Sequence, residues 1–340
     1  MQKPIVIAGK EIKAGQKETI DISIARLYTH TDMTMPVHVI HGKKPGPVLF
    51  VSAAMHGDEI NGVEIIRRLL KLKLLKNIRG TLIAIPVLNV FGFISHNRYL
   101  PDGRDLNRFF PGNRKGSLTS RLANLLIEEI VSKCTHGIDL HAGSRHRNNL
   151  PQIRADLSVK ETEDLAAAFG TPVVIDARLR DGSLREAASE LGIPLLLYEG
   201  GEALRFNDLV IKTGIRGIVS VMRRIGSLPP AKGKVKVFRP IIARSTKWTR
   251  ASMSGIVQSA APLGSKAKKG EPIGIIGDPF GESEEKVFAE TDGVIVGRLN
   301  LPLVHRGDAL FNIASVDEPG DMEGAIEGGD FGIEIEEGLV

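Results

Sequence analysis

The chain is poor in cysteine, and the one it has, Cys134, cannot form an internal disulfide. That fits a reducing compartment, and a cytoplasmic location is the expectation. Aromatics make up only 5% of residues, and no run of five basic residues occurs. A base-stacking surface for nucleic acid is therefore not expected. No window approaches the ~20 apolar residues of a membrane span. The opening "MQKPIVIAGKEIKAG" lacks the apolar stretch of a signal peptide. Neither nucleic acid nor a membrane is an expected partner.

What is present is ordinary for a globular chain that buries a core: 42% hydrophobic and 25% charged residues over 340 positions. The length suits one large domain or two of common size. Charge is unevenly spread. From Val316 to Val340 there are nine acidic residues and no Lys or Arg, leaving 31 acidic against 45 basic residues before it, a net of +14. A basic body attracts anions at long range, and without nucleic-acid features it points to small anionic ligands.

The pattern divides the chain into 1–226, 235–315 and an acidic, Gly-rich tail at 316–340. The first 44 residues read as short strands. Residues 42–47, "GKKPGP", read as a loop. Beyond them, "VLFVSAA" (48–54), "TLIAIPVLN" (81–89), "HGIDLH" (136–141), "TPVVID" (171–176) and "IPLLLYEG" (193–200) are short apolar runs expected as buried strands. Helices are expected over 60–76, with Val63, Ile66 and Leu70 on one face. A second is expected over 117–133, with Leu122, Leu125 or Leu126, and Ile130, capped by Ser or Thr. Strand–helix alternation predicts an α/β fold with a largely parallel, helix-covered sheet. "SLPPAKG", after Gly226, reads as a linker. From about Val235 to Ala314, short strands between glycine turns predict an all-β domain.

Polar residues collect where such sheets bind ligands, at the carboxyl ends of strands. His56 and Glu59 follow the first apolar run, Asn89 ends the second, Asp139 and His141 end the third, and Glu199 ends the last. Charged groups there are costly unless paired or metal-bound. His56 and Glu59, three apart, can face one point, and His141 can join them. Two histidines and one carboxylate are a hydrolytic zinc set that leaves a position open. The stretch "NRYLPDGRDLNRFFPG" (97–112) supplies Arg98, Arg104, Asn107 and Arg108, groups that recognise carboxylates.

"HGDE", "NRYLPDGRDLNRFFPG", "DLHAGS" and "YEGG", in this order, resemble the succinylglutamate desuccinylase/aspartoacylase family over roughly Pro36 to Ala314. The resemblance implies a zinc-carboxypeptidase-like fold, a mixed and mostly parallel sheet with helices on both faces. It implies hydrolysis of the amide of an N-acyl amino acid, with one zinc ion per chain. His56, Glu59 and His141 match the zinc ligands, and Glu199 the catalytic glutamate. Asn107 and Arg108 match the pair that holds the substrate carboxylate. Arg98 resembles the arginine that faces the scissile carbonyl, with Arg104, otherwise a substrate-binding candidate, as its rival for that role. Asp139 reads either as a hydrogen-bond acceptor for a ligand histidine or as a strand-end cap.

Three other readings follow the resemblance. The 235–315 segment contains no tyrosine, so a substrate-gripping tyrosine that aspartoacylases draw from that domain has no counterpart, which argues against N-acetylaspartate. The segment also resembles a biotinyl/lipoyl-like β-fold, but Lys286 lacks the neighbours of a carrier lysine, and a structural domain is expected. Arg145, His146, Arg147 and Arg154, in "GSRHRNNLPQIRA", either read a further anion or form a basic loop. The alternative enzyme is a metallocarboxypeptidase trimming a peptide or cell-wall fragment. The non-enzyme alternative is a zinc-binding or carrier protein. The expected partner is a small anionic N-acylated substrate, and a homo-oligomer is left open.

Overall fold

The computed structural model describes residues 2–231 and 240–316. The expected acidic tail, apart from Val316, and the expected domain start at 235 lie outside the described residues. The N-terminal strands are β1 (Ile5–Ile7), β2 (Lys10–Ile12), β3 (Lys17–Arg26) and β4 (Asp32–His41). There follow β5 (Lys44–Ala53), α1 (Asn61–Leu69), β6 (Arg79–Ile85), α2 (Val90–Ile94) and α3 (Leu118–Glu129). Next come β7 (His136–Gly143), β8 (Arg147–Ala155), α4 (Lys160–Phe169), β9 (Val173–Asp176), α5 (Leu184–Glu190), β10 (Leu195–Glu202) and α6 (Asp208–Arg224). The C-terminal run is all strand: β11 (Ile241–Ala243), β12 (Ser245–Arg250), β13 (Gly255–Ala260), β14 (Lys266–Ala267) and β15 (Pro272–Gly277). It ends with β16 (Glu284–Phe288), β17 (Gly293–Leu299), β18 (Leu303–Val304) and β19 (Ala309–Ser315).

Thirteen strands form one sheet, ordered β12-β19-β17-β8-β10-β7-β5-β6-β4-β3, with β9 and β11 continuing from β8 and β14 paired to β17. It is less parallel than the sequence pattern suggests. The centre β10-β7-β5-β6 is parallel, as are β8-β9 and β9-β11. The flanks are antiparallel, through β6-β4-β3 on one side and β10-β8-β17-β19-β12 on the other. The central strands are buried on both faces and so read as continuous apolar runs. The flanking strands alternate, as in the burial of β3.

Helices cover both faces. Helices α1, α4 and α6 pack Ile65, Ile66, Leu69, Leu165, Phe169 and Ile218 against one face. Helices α3 and α5 pack Leu122, Leu126, Leu184 and Ala188 against the other. Each such side chain contributes ~1.5–3 kcal/mol by leaving water. The first helix ends at Leu69, short of the expected 60–76, and a 3-10 turn follows at Lys73–Asn77. It turns the chain so that Leu75 returns to the core, and the buried face of α1 is Ile65, Ile66 and Leu69 rather than Val63, Ile66 and Leu70. In α3 the Ser117 hydroxyl caps Ser120 N–H, and Leu126 rather than Leu125 is fully buried. Cys134 is buried just beyond α3, where its thiol donates to Ile130 O at 3.2 Å and burial pushes its pKa up.

The C-terminal strands do not stand apart. Strands β12, β14, β17 and β19 extend the large sheet, whereas β16-β15-β13-β18 form a separate four-stranded sheet whose Ile276 and Val287 share one core with Ile295 of β17 and Phe311 and Ile313 of β19. Lys286 lies within β16 opposite Ile275 and not at a hairpin tip, so it lacks the placement of a carrier lysine. Among the described residues no helix is long and apolar enough to cross a membrane.

Candidate metal centre

Strand β5 ends at Ala53, and Ala54 takes a positive φ of 50° that turns the chain toward His56. The next turn closes with Glu59 N–H donating to His56 O at 3.1 Å. Gly57 is obligatory here, because a Cβ on it would lie 1.9 Å from the Gly92 carbonyl carbon. The turn is pressed on the start of α2, which Asn89 caps through Gly92 N–H. Strand β7 places His141 against this turn, and β10 sets Glu199 beside His141 in register. A bulge in β10 follows Glu199, with Gly201 at φ 74°. Such irregularities re-aim a side chain at a sheet end.

His56, Glu59 and His141 converge with all three side chains at most 4% exposed. Their donor atoms face one another. The two Nδ1 atoms are 3.2 Å apart, and Glu59 brings Oε1 to 2.7 Å from His56 Nδ1 and Oε2 to 2.9 Å from His141 Nδ1. Around a tetrahedral ion with bonds of ~2.0–2.1 Å, ligand atoms sit ~3.3 Å apart. The three donors therefore outline three corners of such a site, and the residues fit a divalent metal ion. The outer nitrogens are fixed as well. His56 Nε2 donates to Asp105 Oδ1 at 3.0 Å, and His141 Nε2 donates to Asp139 Oδ2 at 2.7 Å. Both imidazoles thus carry the outer proton and turn a lone pair inward. Asp139 is held in turn by the Ser52 hydroxyl at 2.7 Å.

The electrostatics agree. Burial alone would lower the histidine pKa values, but Glu59 with Asp105 raises that of His56, and Asp139 with Glu59 raises that of His141. Burial would raise Glu59, yet the facing histidines hold its carboxyl well below the usual carboxylate range. The cluster is built to hold positive charge between fixed anions, which a metal supplies in place of protons.

The remaining sequence candidates separate. Arg98 donates to Glu59 Oε1 at 3.0 Å and to Asp105 Oδ2 at 2.9 Å, so it borders the cluster. Arg104 turns away, 47% exposed, paired with Asp102 at 3.4 Å and lying over the Phe109 ring. Asn107 is buried, and its Oδ1 accepts from Leu184 N–H at 2.9 Å. Arg108 donates to the Asn107 carbonyl. Burial lowers its pKa, as do the nearby charges of Arg180 and Arg98. Glu199 Oε2 accepts from Asn149 Nδ2 at 2.9 Å, and burial raises its carboxyl pKa.

Two residues that the sequence pattern did not single out belong here. Asp105 joins His56, Arg98 and the Asn107 N–H (3.0 Å) in one carboxylate, and its signal was its place inside the polar stretch 97–112. Asn149 holds Glu199, and no local pattern marks it. The segment read as either an anion-recognising stretch or a basic loop is mostly strand β8. Arg145 bonds the Tyr99 hydroxyl and Arg147 lies over Trp248, whereas Arg154 stands on the sheet near Glu199.

A model of the succinylglutamate desuccinylase/aspartoacylase catalytic domain matches residues 45–225, a span that carries every residue of this cluster. The chain belongs to this family. It is 24% identical over 297 residues to N-alpha-acetyl-L-2,4-diaminobutyric acid deacetylase of Halomonas elongata, covering 84% of this chain and 86% of that one. Among solved structures it is similar to a succinylglutamate desuccinylase/aspartoacylase from Rhodobacter sphaeroides, with a TM-score of 0.79 at 23% identity, covering 89% of this chain and 97% of the other. It is also similar to the product-bound ectoine utilization protein EutE (DoeB) from Ruegeria pomeroyi, with a TM-score of 0.80 at 20% identity, covering 92% and 98%. These structural likenesses establish a shared fold, including the C-terminal strand region.

Proposed function

We propose that this chain is a zinc-dependent hydrolase that cleaves the amide bond of an N-acyl amino acid or a similar small, carboxylate-bearing amide. The observation that carries the reading is the inward convergence of His56, Glu59 and His141, with Glu199 next to His141 on the adjoining strand. Family membership and the deacetylase of Halomonas elongata support the same reaction class. His56, Glu59 and His141 would hold the ion, and cobalt or manganese suits the same donors. When bound, zinc activates water and polarises the scissile carbonyl.

The chain's own residues supply the rest. Asn149 occupies Glu199 Oε2, so Glu199 Oε1 is the atom that takes the water's proton and passes it to the leaving amine. A carboxyl raised by burial suits both halves of that transfer. Arg98, rather than Arg104, is set to offset charge developing on the carbonyl oxygen, because its guanidinium already borders Glu59. Asn107 spends its oxygen on Leu184 N–H, which leaves its amide N–H groups, together with Arg108, to grip the substrate carboxylate. In this reading residues 1–226 form the catalytic unit and 235–315 narrow the cleft.

The test is amine release from N-acetyl, N-succinyl and longer N-acyl amino acids beside di- and tripeptides, with the zinc-loaded protein and Glu199→Gln. The variant is expected to keep its zinc and lose ~10²–10⁴ in rate. Release from peptides alone would transfer the chain to the carboxypeptidase reading. A fully active variant would remove Glu199 from the mechanism.

A further inference from the structure

The end of the sheet opposite the metal cluster carries a concentration of positive charge that the proposed reaction does not use. Lys44 and Arg79 open β5 and β6 there as direct partners. Gly42 packs on the Ile78 carbonyl, where an added Cβ would come to 2.3 Å, and this sets Lys43 beside the turn that carries Lys76. His41 draws in Lys3, with its Nε2 2.9 Å from Lys3 O, and Ile40 faces Lys17 across β3. All six cations are exposed, and none makes an ion pair with a described residue. The sequence supplies no anion for them. No Asp or Glu occurs from Met33 to Gly57 or from Ile65 to Pro101. Glu18, next to Lys17, is taken by Lys10 at 2.8 Å. Like charges gathered within a Debye length, about 8 Å at physiological salt, repel one another and attract polyanions.

The same chain contains a matching counter-charge. Residues 317–340, outside the described residues, hold nine acids and no Lys or Arg. Strand β19 delivers the chain to the right end of the sheet. Strand β17 runs antiparallel to β8, and β8 to β10, so β17 runs with the central strands. Strand β19 opposes β17 and therefore descends from the cleft end at Ala309 to the basic end at Ser315. In the order β19-β17-β8-β10-β7-β5-β6, strand spacings of about 4.8 Å place β6 about 30 Å from β19. An extended chain of this length spans up to about 80 Å, enough to cross that end and lie along the patch. The cleft offers less. Arg98 is held by Glu59 and Asp105, Arg104 by Asp102, and Arg145 bonds the Tyr99 hydroxyl.

We propose that the patch of Lys3, Lys17, Lys43, Lys44, Lys76 and Arg79 is the docking surface for this chain's own acidic segment, residues 317–340. The contact is electrostatic and intramolecular, and it lies at the end of the sheet remote from the metal cluster. It covers a surface that would otherwise take up foreign polyanions. The inference stands apart from the hydrolase reading and does not need it.

Zero-length carbodiimide crosslinking of the unmodified full chain, read by mass spectrometry, tests it directly. Acids of 317–340 are expected to join Lys3, Lys17, Lys43, Lys44 and Lys76, and the links should vanish at about 1 M salt, where the Debye length falls to about 3 Å. In a mixture of nitrogen-14 and nitrogen-15 protein, each link should stay within one copy. Heparin, as a polyanion probe, supplies the second measurement. Charge-driven polyanion contacts have dissociation constants of about 0.1 mM or tighter. A segment of the same chain acts at an effective concentration of about 1 mM. The full chain with all nine acids changed to their amides should therefore bind heparin about tenfold tighter. Adding Lys43→Glu and Lys44→Glu should remove that gain. A gain that survives the lysine reversal would reflect net charge alone and overturns the proposal. So do heparin affinities equal with and without the nine acids, links that miss these lysines, or links found only between copies. Neutralising the acids could instead lower KM for an anionic substrate with heparin binding unchanged, which would put the segment over the cleft and refute the patch. The crosslinking result holds even if a variant does not fold.

Discussion

Removing Asp105 should loosen the metal site although Asp105 is not a ligand. Its carboxylate accepts three hydrogen bonds: His56 Nε2 at 3.0 Å, Asn107 N–H at 3.0 Å and Arg98 Nη2 at 2.9 Å. The first fixes the tautomer that turns His56 Nδ1 inward. The third keeps the Arg98 cation partly neutralised beside the metal position, where it otherwise opposes a second positive charge. Losing one charge-assisted bond to a buried histidine costs ~1.5–3 kcal/mol. That equals about 10–100-fold in affinity, the range found when a carboxylate partner of a metal-bound histidine is removed. Asp105→Ala loses all three contacts and should fall near the top of that range. Asp105→Asn can still accept from His56 and the Asn107 N–H, but it turns an amide donor toward Arg98, so it should fall near the bottom. The assay is zinc competition against a chromophoric chelator at fixed pH, with far-ultraviolet dichroism to verify the fold. Zinc affinity of Asp105→Ala within threefold of the unmodified protein would refute the claim that this carboxylate orients His56.

Two further perturbations test other parts of the argument. Arg108→Ala should raise KM by about 10–100-fold for substrates with a free carboxylate and leave kcat nearly unchanged. Steady-state kinetics on acid and carboxamide versions of one substrate would show it, and an undiminished preference for the acid would rule out the clamp. Glu64, bonded to Arg67 and Arg68 on α1, has its carboxyl lowered to about 2 by the Arg67 hydrogen bond first and Arg68 next. A depressed carboxylate pKa stabilises the fold above about pH 4.5, and the benefit is lost as pH falls toward 2. Arg67 is 55% exposed, so solvent screening keeps the contribution of the Glu64 carboxylate small, below about 1 kcal/mol. Denaturant unfolding should therefore find Glu64→Gln less stable at pH 7, with the gap closing through that acid window, and a gap constant from pH 7 to pH 3 would count against the pairing.

How much of this was legible in the sequence depends on where each contact's partner lies. The strands carrying Val51, Ile138 and Leu196 stand out because burial on both faces demands unbroken apolar runs. His56, Glu59, His141 and Glu199 stand out for the opposite reason, as polar groups set where an apolar strand ends. Strand β8 did not, because its residues serve three neighbours at once. Asn149 turns to Glu199, Gln152 donates to Val296 O and Arg154 stands on the catalytic face, so "RNNLPQIRA" has the polarity of a loop. The choice between Arg98 and Arg104 was equally closed to sequence reasoning. Only the fold of residues 97–108 turns one toward Glu59 and the other toward Asp102.

The antiparallel flank gives the C-terminal strands a part in the site that composition alone does not suggest. Strand β17 pairs Gly297 with Asn149 and Arg298 with Asn148, at the end of β8 that faces the cleft. Asn149 in turn holds Glu199, and Asn300 donates to Glu202 Oε2 at 2.8 Å just past the bulge in β10. A Cβ on Gly297 would come to 3.0 Å from Asn149 Oδ1, so any larger residue at that crossing would press on the amide that holds Glu199. The position of the proposed general base is thus set from both sides of its strand, by β7 with His141 and by β8 as β17 supports it. An edge strand carrying Asn149 and Arg154 would present unpaired backbone to water and could slip in register. Pairing with β17 at Asn149, and with β9 from Gln152 to Ala155, removes that freedom along β8. Under the proposed mechanism the C-terminal strands would act on the chemistry through the ladder, since none of their described residues joins His56, Glu59 and His141.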